Sequence, residues 1–102
     1  MPNIKLNYLY RDSANYKKFG FVIFNNPTNV ELTDLEMLIK SKLIGETWFY
    51  AHEWKLPELF SSFFDFRIDP TWHEFENAEY TDEPVDTAVD LEEFVATIEK
   101  LL

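Results

Sequence analysis

Ile4-Lys5-Leu6-Asn7-Tyr8-Leu9-Tyr10 puts Ile4, Leu6, Tyr8 and Tyr10 on one side of an extended chain and Lys5, Asn7 and Leu9 on the other. Period two with branched and aromatic residues marks a half-buried strand, because successive strand side chains point to opposite faces. Arg11-Asp12-Ser13-Ala14-Asn15 is polar turn chemistry, and Tyr16 to Phe24 resumes strand character. The two runs read as an antiparallel hairpin joined by a loop of several residues. In the second run Phe19, Phe21 and Ile23 share one face, with Val22 and Phe24 on the other. Both faces being apolar, this strand is expected to be covered on both sides at its C-terminal end.

Beyond the hairpin, Asn25-Asn26-Pro27-Thr28-Asn29 ends the strand. Thr33 with Glu36 three positions later matches a capping box, and Leu35, Leu38, Ile39 and Leu43 follow as one helical stripe. Gly45 stands just past the expected end, where a left-handed cap favours a residue without Cβ. Residues 46–70 hold Trp48, Phe49, Tyr50, Trp54, Phe60, Phe63, Phe64 and Phe66 without a steady period, punctuated by Pro57 and Pro70. Loop, a helical turn near Ala51–Trp54 and room for a short strand are expected there. Trp72 to Tyr80 is extended again, and the opposite parity of Phe75 and Ala78 calls for a bulge or a register break between them. Thr81-Asp82-Glu83-Pro84 is a turn. Thr87 is placed to cap a final helix, with Asp90 three positions on and a stripe of Leu91, Phe94, Val95, Ile98 and Leu101 or Leu102. The order β-β-α-β-α predicts one α+β domain over residues 1–102. Its three-stranded antiparallel sheet would place the third strand beside the first, with both helices on one face.

Composition agrees with one domain: 102 residues can bury one core, and no cysteine exists to staple smaller ones. No apolar run reaches the ~18 residues of a membrane span, and Met1-Pro2-Asn3-Ile4-Lys5 lacks a signal peptide's apolar stretch. A cytoplasmic location is expected. The net charge of −10 is uneven: residues 1–51 carry six bases and five acids, residues 52–102 three bases and fourteen acids. Nucleic-acid backbones and anionic membranes would be repelled by the second half, whereas a basic protein surface would be attracted.

Lys5-Leu6-Asn7-Tyr8-Leu9-Tyr10-Arg11-Asp12, Asn15-Tyr16-Lys17 and Trp72-His73-Glu74-Phe75-Glu76 together resemble a family of small uncharacterised bacterial proteins with no assigned activity. The resemblance covers most of the chain. It implies a bacterial, intracellular, single-domain protein and transfers no ligand or catalytic residue.

The residue types point away from an enzyme. There is no Cys and no G-x-S-x-G elbow, and Gly20 and Gly45 are the only glycines, too few for a phosphate-wrapping loop. His52-Glu53 and His73-Glu74 lack the four-residue histidine spacing of a zinc helix. Asp82, Glu83, Asp86 and Asp90 depart from a calcium loop. Glu74 and Glu76 could share a strand face about 7 Å apart, but acid–base work also needs a deep cleft. Arg11-Asp12 at the hairpin tip reads as turn chemistry before it reads as a contact. No catalytic residue, metal or cofactor is expected.

Two features suggest surfaces. The aromatic segment 48–66 is expected to cover the second face of the sheet. Its functional alternative is an exposed patch with Trp48, Trp54, Phe63 and Trp72 as anchors, and some rings could serve each role. Glu74, Glu76, Glu79, Asp82, Glu83 and Asp86 lead an acidic run that is either a solvated face or a surface for a basic protein. The expected function is a protein-binding module of inhibitor, antitoxin-like or adaptor type. The alternative is an acidic mimic of nucleic acid occupying another protein's groove; a metal-dependent or acid–base enzyme is more remote. A homodimer is equally open.

Overall fold

The structure, a computed structural model, describes residues 2–61 and 63–101. Alternating side chains produce the first two strands, β1 (Asn3–Arg11) and β2 (Lys17–Phe24), paired antiparallel from Ile4↔Phe24 to Arg11↔Lys17. They are followed by α1 (Leu32–Lys42), β3 (Trp48–Phe49), β4 (His73–Thr81) and α2 (Leu91–Glu99). The fold is α+β, with β4 beside β1 and β3 beyond β4, in the order β2-β1-β4-β3. The expectation of three strands is corrected to four. The added strand is two residues long, and periodicity cannot show so short an element.

Between Asn7↔Asn77 and Tyr8↔Phe75 the register shifts by one residue. Glu76 is left unopposed, so Phe75 and Ala78 both reach the core side despite their parity. Ile4, Leu6, Tyr8, Val22, Phe24 and Ala78 form the sheet's contribution to the core, and Leu35, Ile39, Leu91, Phe94 and Ile98 bring both helices onto that face. Burying each Val, Leu, Ile or Phe side chain among these is worth roughly 1.5–3 kcal/mol.

The helix ends differ from the sequence pattern. α1 starts at Leu32 after Glu31, which makes no side-chain cap, so the Thr33–Glu36 box does not form. The Leu32 N–H donates instead to the Tyr80 hydroxyl at 3.1 Å, a tertiary partner that fixes the helix on β4. Asp34 in the first turn and Lys40 and Lys42 in the last match the helix dipole, and Lys42 Nζ reaches the Leu101 carbonyl at 2.8 Å. α2 is capped by Asp90, whose carboxylate accepts the Glu93 N–H at 2.9 Å; Thr87 instead accepts the Val89 N–H. Leu102 lies outside the described residues. Among those residues, no helix is long and apolar enough to cross a membrane.

The aromatic segment covers the helix-bearing face, not the opposite one. Phe49, Ala51, Trp54 and Leu56 join the same core as the helices. Two tyrosines pin the chain that follows: Tyr8 donates its hydroxyl to the Pro57 carbonyl at 2.6 Å, and Tyr10 to the Pro70 carbonyl at 2.7 Å. Burial, assisted by Asp86, pushes the Tyr8 hydroxyl far above its ordinary pKa. Burial with Asp69 and Asp12 raises Tyr10 to about 12. Both tyrosines therefore remain donors. Backbone bonds from Glu53, Trp54 and Lys55 to carbonyls three or four residues earlier make the expected helical turn.

The opposite face keeps a polar lattice. Lys5 meets Glu83 at 2.9 Å, Asn7 donates to Asn77 and Glu79, and Arg11 pairs with Glu74. At the C-terminal end of β2, Val22, Ile23 and Phe24 are buried on both faces of the strand, and Asp86 bonds the outer backbone edge at Ile23.

Candidate functional site

A turn of three residues sets up the site. Ile44 and Trp48 exchange backbone hydrogen bonds of 2.7 and 3.0 Å, and Gly45 and Glu46 between them take positive φ of 57° and 63°. A Cβ at Gly45 would lie 3.1 Å from the Trp48 ring, so the bare glycine allows the indole to lie close over the turn. Pairing of β3 with β4 then sets orientation. Phe49 opposite His73 turns into the core, whereas Trp48 opposite Glu74 turns outward.

Trp72, one residue before β4, comes to the same place. Trp48 is 39% exposed and Trp72 43%, and with Ile44 and Tyr50 they line an apolar depression of about 260 Å³. A broader groove of about 630 Å³ shares both tryptophans and runs to the hairpin tip past Arg11, Ile68, Asp69 and Glu74.

Hydrogen bonds brace the groove walls. Arg11 grips Glu74 through Nε at 2.8 Å and Nη2 at 3.3 Å, while its Nη1 holds Asn15 at 2.6 Å. The Glu74 bond raises the guanidinium pKa further. Asp69 accepts the N–H and hydroxyl of Ser13 and the N–H of Asp65, tying the hairpin to loop 65–70; the Asp65 and Ser13 N–H groups hold its carboxyl below the ordinary range. Asp12 accepts the N–H groups of Ala14 and Tyr16, which is the turn role expected of Arg11-Asp12.

The structure therefore unites Trp48, Trp72 and Glu74, and it separates the other expected site residues. Trp54 is 2% exposed and stacks on Phe49 with ring centres 4.5 Å apart, so its assignment as a surface anchor is corrected to the core. Phe63 is 90% exposed and lies outside both depressions. The acids spread along β4 and the turn after it. Glu76 is exposed at the bulge and Asp82 is exposed in the turn. Glu79 accepts from Asn7, Glu83 from Lys5 and Thr81, and Asp86 from the Ile23 N–H. The Lys5 and Thr81 bonds hold the Glu83 carboxyl low. Bulged and distributed in this way, Glu74 and Glu76 do not form the regular same-face pair that an unbroken strand would give. Tyr50 and Ile44 are the site residues that sequence reasoning missed, and no periodic signal marks either one.

His73 is buried among the rings of Tyr8, Tyr10, Phe49 and Phe60, with centres 5.1 to 6.0 Å away. His52 is exposed on the turn after Tyr50. Among the described residues, no three His, Asp or Glu side chains are grouped to hold a metal ion. No protein-family model, curated protein or solved structure matches the chain.

Proposed function

We propose that the chain is a non-enzymatic protein-binding module whose contact surface is the aromatic depression of Trp48, Trp72, Tyr50 and Ile44. The observation that carries this reading is the convergence of two half-exposed indoles, from separate segments, on one concave apolar surface. Indole and phenol rings supply large contact area at small entropic cost and dominate interface energies. The depression suits an apolar or aromatic side chain of a partner. The adjoining groove, with Arg11, Asp69 and Glu74 fixed in hydrogen bonds, gives that contact a preorganised polar rim.

Net charge supplies steering. A −10 chain attracts a basic partner at long range. Since Glu74, Glu79, Glu83 and Asp86 each already hold a neighbouring group, close-range specificity falls to the rings. An inhibitor, antitoxin-like protein or adaptor, bacterial and cytoplasmic, would use such a surface.

The test is capture of partners from a bacterial lysate by the wild-type chain, Trp48→Ala/Trp72→Ala and Glu76→Lys/Asp82→Lys, at low and high salt. A partner retained in high salt and lost with the tryptophans supports the proposal. A partner lost in high salt and insensitive to the tryptophans assigns binding to the acidic surface instead.

A further inference from the structure

The outer edge of β2 is open over half its length. The Ile23 N–H donates to the Asp86 carboxylate and the Ile23 carbonyl accepts the Asp86 N–H, while the Tyr16 carbonyl accepts the Asp12 N–H on the β1 side. By antiparallel alternation, even-numbered residues of β2 bond β1 and odd-numbered residues face outward. Lys17, Phe19 and Phe21 thus direct N–H and C=O groups away from the sheet, and among the described residues no hydrogen bond engages them. Their side chains stand on the face away from the helices, Phe19 at 62% and Phe21 at 46% exposure. An unpaired edge of this kind is a template for another strand.

We infer that this edge pairs with β2 of a second copy of the chain, antiparallel and centred on Phe19, joining two sheets into one. Register favours a copy. Centring on Phe19 sets it opposite its own counterpart and sets each Lys17 opposite the other copy's Phe21, so the outward-facing groups meet as hydrogen-bonded pairs. Lysines on an edge usually discourage pairing, but here each meets a ring or Gly20 and not another lysine. Lys5 Nζ already lies 4.3 Å over the Phe21 ring, showing the same ammonium–ring chemistry within one chain.

Charge favours the same place. Residues 13–30 carry Lys17 and Lys18 and no acid, so this is the stretch of a −10 chain where two copies meet least repulsion. The Asp86 segment occupies the edge at Ile23 and confines the opening to residues 17–21, which limits slippage.

Sedimentation equilibrium on the full chain, at rising concentration and salt, tests the inference. The mass is expected to double from 12.2 kDa, with association strengthening as salt screens the residual repulsion. The amides of Lys17, Phe19 and Phe21 should exchange about 100-fold more slowly in the dimer. Phe19→Pro removes an outward N–H without touching a β1 bond, and should weaken association at least about 10-fold with circular dichroism unchanged. Phe19→Lys, which leaves the backbone intact, should do the same and carries the test if the proline variant fails to fold. A chain that stays at 12.2 kDa up to about 1 mM, or a dimer that folded variants leave intact, overturns it.

Discussion

The imidazole of His73 accepts the backbone N–H of Leu59 through Nε2 at 2.9 Å, which places the ring proton on Nδ1. That bond fastens the irregular segment over the sheet: the Leu59 side chain lies where a Cβ on Gly20 would be, 2.8 Å from that position. The Nδ1 atom is buried without a hydrogen-bond partner of good geometry. Burial lowers the His73 pKa from 6.5 to about 4, and the Thr71 backbone offsets only part of the shift.

This histidine makes the fold acid-sensitive. Between pH 6.5 and about 4 the unfolded chain binds the proton and the folded chain does not. Stability is therefore full above 6.5 and falls as pH drops toward 4, by about 3 kcal/mol in all. Glu83, Asp65 and Asp69, whose pKa values lie lower in the fold, begin to lose their contributions as pH falls through the ordinary carboxylate range and lose them fully below it. Urea denaturation from pH 7.5 to 4 should show the decline in the wild type. In His73→Phe the decline between pH 7.5 and about 5 should vanish, while stability at pH 7 drops by about 1–3 kcal/mol because the Leu59 N–H loses its acceptor.

The three tryptophans should separate cleanly. Trp54→Ala empties the core beside Phe49 and Phe94 and should cost about 3–5 kcal/mol in chemical denaturation. Trp48→Ala and Trp72→Ala remove half-exposed rings and should each cost under about 1 kcal/mol while removing partner binding. Equal destabilisation at all three positions would contradict the assignment of Trp48 and Trp72 to a surface.

Helix caps offer a direct comparison. Asp90→Ala removes the acceptor of the Glu93 N–H and should cost about 1 kcal/mol. Thr33→Ala, lying within the first turn of α1 without a capping bond, should stay within about 0.5 kcal/mol of the wild type.

Asp69 should govern the shape of the groove. Asp69→Ala removes the acceptor for the N–H groups of Ser13 and Asp65, so those two amides should exchange faster with solvent. The amides of Tyr8 and Tyr10, in the centre of the sheet, should be unchanged.

Local pattern carried the hairpin, both helices and the bulge, because alternation in Ile4–Tyr10, the Leu35–Ile39 stripe and the clash of parity between Phe75 and Ala78 are all local facts. What it missed depends on tertiary partners. The N-terminus of α1 is bound by Tyr80, 48 residues away, which no capping pattern encodes. The aromatics of 48–66 carry no period, so nothing in their order tells Trp54, enclosed by Phe49 and Phe94, from Trp48, held outward by pairing with Glu74. Acidic residues read as one run were dispersed by strand geometry over about 20 Å, and Glu79, Glu83 and Asp86 were drawn into bonds with residues of the first two strands, distant in sequence.

The most direct test is a nuclear magnetic resonance titration of the chain with a captured partner, following the three indole N–H signals and the backbone amides. The account predicts that the indoles of Trp48 and Trp72 shift together with the amides of Ile44 and Tyr50, while the Trp54 indole stays in place. Shifts confined to Glu76, Asp82 and the first turn of α2, with Trp48 and Trp72 unmoved, would contradict it.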